Sequence, residues 1–256
     1  MTIDLPSWRA RHVWSRNWDV FKKYIVTNIL PNFAEPILYI VALGYGLGFF
    51  VGQIGGMSYA MFLAPGILCS SIMFAAASEC TYATFVRLIF QKTFEAVLST
   101  PLMPADIVAG EVAWGATKSV ISGVCIFLVI LAMGLVKPES FLIIFPTTIL
   151  VGLMFAAMSM FFTSIMPNMD AFNYVFTLLI SPMFMFSGVF FPIDGMPAVV
   201  KIIAWFLPLT HAVNVIRPAA EGIYSSSFIF EFAWMLVFTV IFYIAAAVRM
   251  KKRLIE

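Results

Sequence analysis

Charge is scarce in this sequence: of 256 residues, 11% are Asp, Glu, Lys or Arg, whereas 62% are hydrophobic. A soluble domain is thereby excluded, because one core of this chain length cannot hide so many apolar side chains. Cysteine is scarce as well. Cys69, Cys80 and Cys125 are odd in number, lie inside apolar runs and lack C-x-x-C spacing, which argues against disulfides and thiolate metal sites. The two histidines, His12 and His211, are far apart with no H-E-x-x-H, and neither a G-x-x-x-x-G-K-S/T loop nor a G-x-G-x-x-G after a strand occurs. No catalytic residue, metal ligand or nucleotide site is therefore expected in this chain. Internal repeats and low-complexity tracts are missing too. The start of the chain lacks the short apolar stretch of a cleaved signal peptide, so the N-terminus is expected to be mature sequence.

What the chain has instead is long apolar runs. A membrane-crossing helix needs about 20 mostly apolar residues, and runs of that kind cover 25–51, 59–86, 107–135, 141–166, 172–191 and 228–248. The expected fold is an all-α integral membrane protein with six transmembrane helices and one transmembrane domain over 1–256. Arg9, Arg11, Arg16, Lys22 and Lys23 precede the first run, and Arg249, Lys251, Lys252 and Arg253 follow the last. By the excess of positive charge on cytoplasmic loops, both termini should be cytoplasmic, which requires an even number of spans. Six spans put Arg87 and Lys92 inside and Lys137, Lys201 and Arg217 outside; Lys118, within the third run, is ambiguous. The segment 195–217 is long enough to cross but holds Lys201, Pro208, His211 and Asn214. A full crossing would break the parity, so it is expected to be a re-entrant or interfacial helix pair broken at Pro208. Basic residues gather at membrane borders and form no stripe for nucleic acid.

Three groups of residues stand out. Between the second and third runs, 90–100 places Phe90, Phe94, Val97 and Leu98 on one face of a helix, with Gln91, Lys92, Thr93 and Glu95 beside or opposite them. Such a helix either lies on lipid headgroups or docks a soluble partner. Over 1–23, Trp8, Trp14 and Trp18 alternate with arginines, the pattern of an interface helix or anchor. Glu35 and Glu79 lie inside apolar runs, where a carboxylate costs a few kcal/mol, on the order of 3, unless it faces protein or water. They are pathway candidates or packing determinants. His211, beside Thr210 and Pro208, reads as a packing residue at a helix break, and Phe190, Phe191, Trp205 and Phe206 as an aromatic belt or a sugar-stacking surface.

The run Phe186-Ser187-Gly188-Val189-Phe190-Phe191-Pro192-Ile193-Asp194-Gly195-Met196-Pro197, the run Phe206-Leu207-Pro208-Leu209-Thr210-His211-Ala212-Val213, and Arg217-Pro218 together resemble the signature of type-2 ABC exporter permeases. Arg16-Asn17-Trp18, Glu35-Pro36, Gly44-Tyr45-Gly46-Leu47-Gly48, Phe62-Leu63-Ala64-Pro65-Gly66, Glu79-Cys80-Thr81-Tyr82 and Gly110-Glu111 with Trp114 are similar to the permeases of rhizobial nodulation-factor exporters, the NodJ family. The resemblance spans almost the whole chain. It implies six helices with cytoplasmic termini, an amphipathic N-terminal interface helix, a coupling helix over Gln91 to Thr100 that enters a groove of an ATPase, and a re-entrant outer gate. It further implies a homodimer in the bacterial inner membrane with two copies of a separate ATP-binding subunit, ATP and Mg being held there and no cofactor here. The cargo would be a lipid-linked or amphipathic sugar. A drug or polysaccharide exporter of the same architecture is the alternative; a proton-coupled carrier or membrane transferase would need more intramembrane charge or a catalytic motif.

Overall fold

Apolar sequence in long uninterrupted stretches satisfies its backbone most simply as helix, and the computed structural model, which describes residues 5–255 and leaves aside the side chains of 26–29 and 31–33, is helical almost throughout. Residues 1–4 of the expected interface segment lie outside the described residues. Helix α1, Ala10–Lys23, buries Val13, Asn17 and Phe21, a stripe four residues apart. Helix α2 covers 25–51 and widens into a π-helical stretch at Ile40–Leu47, where Gly44 and Gly46 remove side chains from the turn. Gly52, with φ +76°, ends it. A two-residue hairpin follows, β1 (Gln53–Ile54) against β2 (Met57–Ser58), turned through Gly55 and Gly56, both at positive φ, as a tight hairpin turn demands.

Helix α3, Tyr59–Phe90, is the hub and is buried along most of its length. The short α4, Thr93–Leu98, leads to α5, Pro104–Ala132, which begins with proline at its first position, where no N–H partner is lost. Helix α6, Pro138–Ile165, runs antiparallel to α5: Gly123 lies against Thr148, Gly152 against Ser119 and Gly115 against Ala156. A Cβ at Gly152 would stand 2.2 Å from the Ser119 hydroxyl, so the absent side chain is what lets these helices approach. Helix α7, Phe172–Phe186, comes next, then α8 (Ala198–Phe206) and α9 (Pro208–Ala220), bent 93° at Leu207, and finally α10, Phe228–Ile255.

Five of these helices are long and apolar enough to cross a membrane, and the bent pair would make a sixth if counted as one span. The fifth expected span, 172–191, is helical only to Phe186. Its 15 residues make about 22 Å of helix, short of the roughly 30 Å hydrocarbon thickness. The cause lies at Gly188, whose φ of +78° breaks the helix and turns the chain over α3. The second run extends past 86 to Phe90, because Arg87 is neutralised within the protein. The last helix continues beyond 248 to Ile255, where Arg253 Nη1 caps the end of α6 by donating to the carbonyls of Thr163 (2.6 Å) and Met166 (2.7 Å). Ser7 N–H binds Asp106 at the start of α5 (2.6 Å). The start of α5 and the end of α6 share one end of the bundle, so the first and last described segments lie together there.

Outward faces of α2, α7 and α10 carry exposed apolar side chains, among them Leu38, Phe49, Phe50, Leu178, Ile229 and Ile241. Surface of that extent belongs in lipid or against another subunit.

Candidate functional site

Two widened turns of α3, Glu79–Ala83 and Val86–Phe90, bring Glu79, Thr84 and Arg87 toward α5. Helix α5 answers with Glu111, Trp114 and Lys118, three and four residues apart and so on one face. Arg87 Nη2 donates to Glu79 Oε1 (2.9 Å), Thr84 Oγ1 (3.1 Å) and Glu111 Oε2 (2.6 Å). Glu79 also accepts from Trp114 Nε1 at 2.9 Å and from Lys118 Nζ at 2.7 Å. Glu111 Oε1 accepts from Arg16 Nη2 (2.8 Å) and Asn17 Nδ2 (3.2 Å) on α1. Glu111 is fully buried and the Glu79 side chain is 5% exposed. Buried carboxylates hold a charge only when closely paired and hydrogen-bonded, and here two carboxylates meet three cations. Burial pushes the Arg16 guanidinium below its ordinary pKa; Glu111 opposes this, and Arg87 adds to it.

Aromatic packing fixes α1 onto the same joint. Trp14 and Trp18 stack on each other and meet Trp114 edge-on, and Trp14 Nε1 donates to Thr117 Oγ1 at 2.9 Å. These two rings therefore face the protein, while Trp8 is exposed with Arg11 lying 4.0 Å over its ring. A cavity of about 410 Å³ opens beside the cluster, lined by Arg16, Arg87, Gln91, Thr93 and Lys118 among others. Lys118 also borders a second cavity of about 210 Å³, which contains Glu35.

Helix α4 hangs directly from this joint. Lys92 takes φ +52°, the one left-handed residue other than glycine among those described, and turns the chain sharply out of α3. Phe94 is then buried at 1% exposure, Val97 and Leu98 pack against the core, and Gln91, Lys92 and Glu95 face outward. Phe90, expected on the apolar face, is exposed, because it belongs to α3 and lies before the turn. Lys92 and Glu95 form only a long exposed ion pair of 4.0 Å.

At the opposite end, the resembling signature folds over α3. Arg217 Nη2 donates to the carbonyls of Gly188 (2.7 Å) and Val189 (3.3 Å), Arg217 Nε to that of Phe62 (3.1 Å), and the guanidinium lies 3.8 Å over the Phe62 ring. Tyr59 Oη donates to the Phe190 carbonyl at 3.1 Å. The backbone of Val189 sits 3.0 Å from where a Cβ of Gly66 would be, so the loop rests on a groove that glycine leaves. Ser187 is buried with Phe190 and Phe191 partly covered, and Pro192 and Pro197 bracket the single turn Ile193–Gly195. His211 Nε2 faces the Trp205 carbonyl at 2.8 Å, its Nδ1 meets the Glu231 carboxylate, and the ring stacks on Trp234 at 3.9 Å.

Of the residues singled out in the sequence, Glu79 joins the charge cluster, Glu35 is exposed at the edge of the smaller cavity, and the 187–217 set forms one packed unit with α3. Arg87, which follows the second expected run on its inner side, is the centre of the buried cluster; Arg16, Glu111 and Lys118 complete it. Their signal was present as opposite charges at helical spacing within or beside apolar runs.

The sequence profile of the ABC-2 type transporter family matches residues 10–220. The chain is 43% identical to Nodulation protein J of Rhizobium leguminosarum bv. trifolii over 82% of this chain and 80% of that protein. It is 36% identical to Nodulation protein J of Bradyrhizobium diazoefficiens over its full length and 97% of the relative. Inner membrane transport permease YadH of Escherichia coli is 22% identical over 91% of each chain. No solved structure matches the chain.

Proposed function

Because the chain belongs to the ABC-2 type transporter family, we propose that it is the membrane permease of an ATP-driven exporter whose cargo is an amphipathic glycolipid or lipo-oligosaccharide. The cargo class follows the Nodulation protein J relatives, and the inner-membrane site follows the YadH likeness. Two copies of this chain work with two copies of an ATP-binding subunit that carries ATP and Mg. Both termini face the cytoplasm with α4, and the bent α8–α9 pair enters the membrane from the outer side without crossing it.

The observation that carries the reading is the mounting of α4. Its outward face offers Gln91, Lys92 and Glu95 to a soluble partner, while Phe94 is sunk in the core and the Arg87 cluster ties its root to α1, α3 and α5. A push on α4 from closing ATPase subunits is thus delivered to three helices at once. The push shifts the permease only in so far as the ATP-bound partner has different affinity for its two conformations. α1 lies along the membrane surface and steadies the joint, and the Arg217-held loop is the outer gate.

Co-purification of the chain with candidate ATP-binding subunits, followed by ATPase assays with acylated oligosaccharides and with drugs, tests the proposal. A stable complex stimulated by the acylated sugar is expected; stimulation by drugs alone would reassign the cargo, and ATP-independent transport by the chain by itself would overturn the exporter reading.

A further inference from the structure

The smaller cavity, between α2, α3, α5 and α7, has a lining that a lipid chain would not require. Ser70, Ser71 and Ser78 donate their hydroxyl protons to carbonyls of their own helix at 2.9, 2.7 and 2.8 Å, so what they offer the cavity is lone pairs. Ser122 stands opposite on α5. Glu35 adds an exposed carboxylate with no ion-pair partner among the described residues. Lys118 Nζ binds one oxygen of Glu79 at 2.7 Å, leaving ammonium protons for a further acceptor. The remaining wall is aromatic: Phe184 meets Tyr39 and Phe74 edge-on, with centroids 5.9 and 5.4 Å away.

From this lining we infer that the cavity holds a single sugar ring of the cargo, its hydroxyls donating to the serines and Glu35, an acceptor of the ring meeting Lys118, and its C–H face against Phe74 and Phe184. The inference rests on the glycolipid reading and adds where the polar head is held. An inorganic or headgroup anion fits poorly, because Glu35 and the serine lone pairs would repel it. The size agrees: about 210 Å³ is below the roughly 300–1,000 Å³ that accommodates a drug-sized ligand, enough for one ring and too little for several. Lys118 lies about 20 Å along α5 from Pro104, so the ring would be held well inside the membrane-spanning bundle. Because Lys118 also grips Glu79, occupancy of the cavity is one ion pair away from the joint that carries α4.

The test uses the full chain in lipid nanodiscs and two photoreactive probes, a palmitoyl tetrasaccharide and a palmitoyl ethanolamide, each with a diazirine on its polar head. The sugar probe should label peptides containing Ser70 to Ser78 or Lys118 to Ser122, and the ethanolamide should not. Ser122→Trp, which fills the cavity, should abolish that labelling. Glu35→Leu, at an exposed position where folding is not at stake, should reduce it about tenfold, the worth of a hydrogen bond to a charged group. Equal labelling of the cavity by both probes would show a general headgroup pocket and overturn the assignment. Sugar labelling elsewhere, unchanged by either variant, would remove the site while leaving the glycolipid reading intact; no sugar labelling anywhere would remove both.

Discussion

Arg87 reaches Glu111 across the α3–α5 contact at 2.6 Å, and the same Nη2 holds Glu79, eight residues back on its own helix, at 2.9 Å. One guanidinium thus ties two helices, and through Glu111 and Arg16 a third. Removing one partner of a buried pair leaves the other charge uncompensated, a loss of about 3–5 kcal/mol. Glu111→Gln is expected to lower the thermal stability of the detergent-solubilised chain accordingly and to loosen α1. Asp19→Asn, which breaks an exposed pair with Lys22, should cost no more than about 1 kcal/mol. Melting curves followed by size-exclusion chromatography compare the two; equal shifts would contradict the cluster's structural weight.

Glu95 faces outward on α4 with a 67% exposed side chain, so its replacement should not disturb the fold. Glu95→Arg reverses the charge offered to the ATP-binding subunit and should reduce its co-purification while membrane insertion is unchanged. Undiminished assembly and transport in this variant would remove α4 as the docking element.

Much of the architecture was legible because long apolar stretches leave few solutions for a backbone: apolar runs marked the long helices, and Pro208 marked the α8–α9 break that the structure bends by 93°. The charge cluster was less so. Glu79 could be seen as costly in an apolar run, but its partners Trp114 and Lys118 come from α5 and Arg87 from the end of α3 beyond that run, and only packing brings them together. The short α7 was hidden for another reason. Val189, Phe190 and Phe191 are as apolar as a helix end, and what stops the helix is the left-handed Gly188 with Arg217 taking the freed carbonyls.

Gly110 marks where α1 meets α5: a Cβ there would lie 2.5 Å from that of Val13 and 2.7 Å from the Ala10 carbonyl. Backbone cannot yield as a flexible side chain can, so Gly110→Val should lift α1 from the bundle. Faster tryptic cleavage at Lys22 and Lys23 and a red-shifted tryptophan emission are the expected readouts. Cleavage at the wild-type rate would mean that α1 is held by other contacts.

Lys201 is exposed on α8, on the side that the proposed topology assigns to the outside. A cysteine in its place should react with a membrane-impermeant maleimide added to intact cells, and not with the same reagent sealed inside right-side-out vesicles. Labelling from the interior would show that the α8–α9 segment crosses the membrane and would change the number of spans.

Arg217 gives the sharpest test of the loop proposed as the outer gate, because its role depends on shape as well as charge. Three carbonyl contacts and the Phe62 ring are met by one planar fork, which an ammonium on a flexible stem cannot reproduce. Arg217→Lys retains the positive charge but should free the 187–191 loop from α3. Transport should then fall about tenfold or more, given that charge-assisted hydrogen bonds contribute about 1.5–3 kcal/mol each. Binding of the ATP-binding subunits, proposed to dock on α4 at the far end of the bundle, should be unchanged. Wild-type transport in Arg217→Lys would show that the loop needs only a cation, whereas loss of subunit assembly would place Arg217 in the folding of the whole bundle and not in its gate.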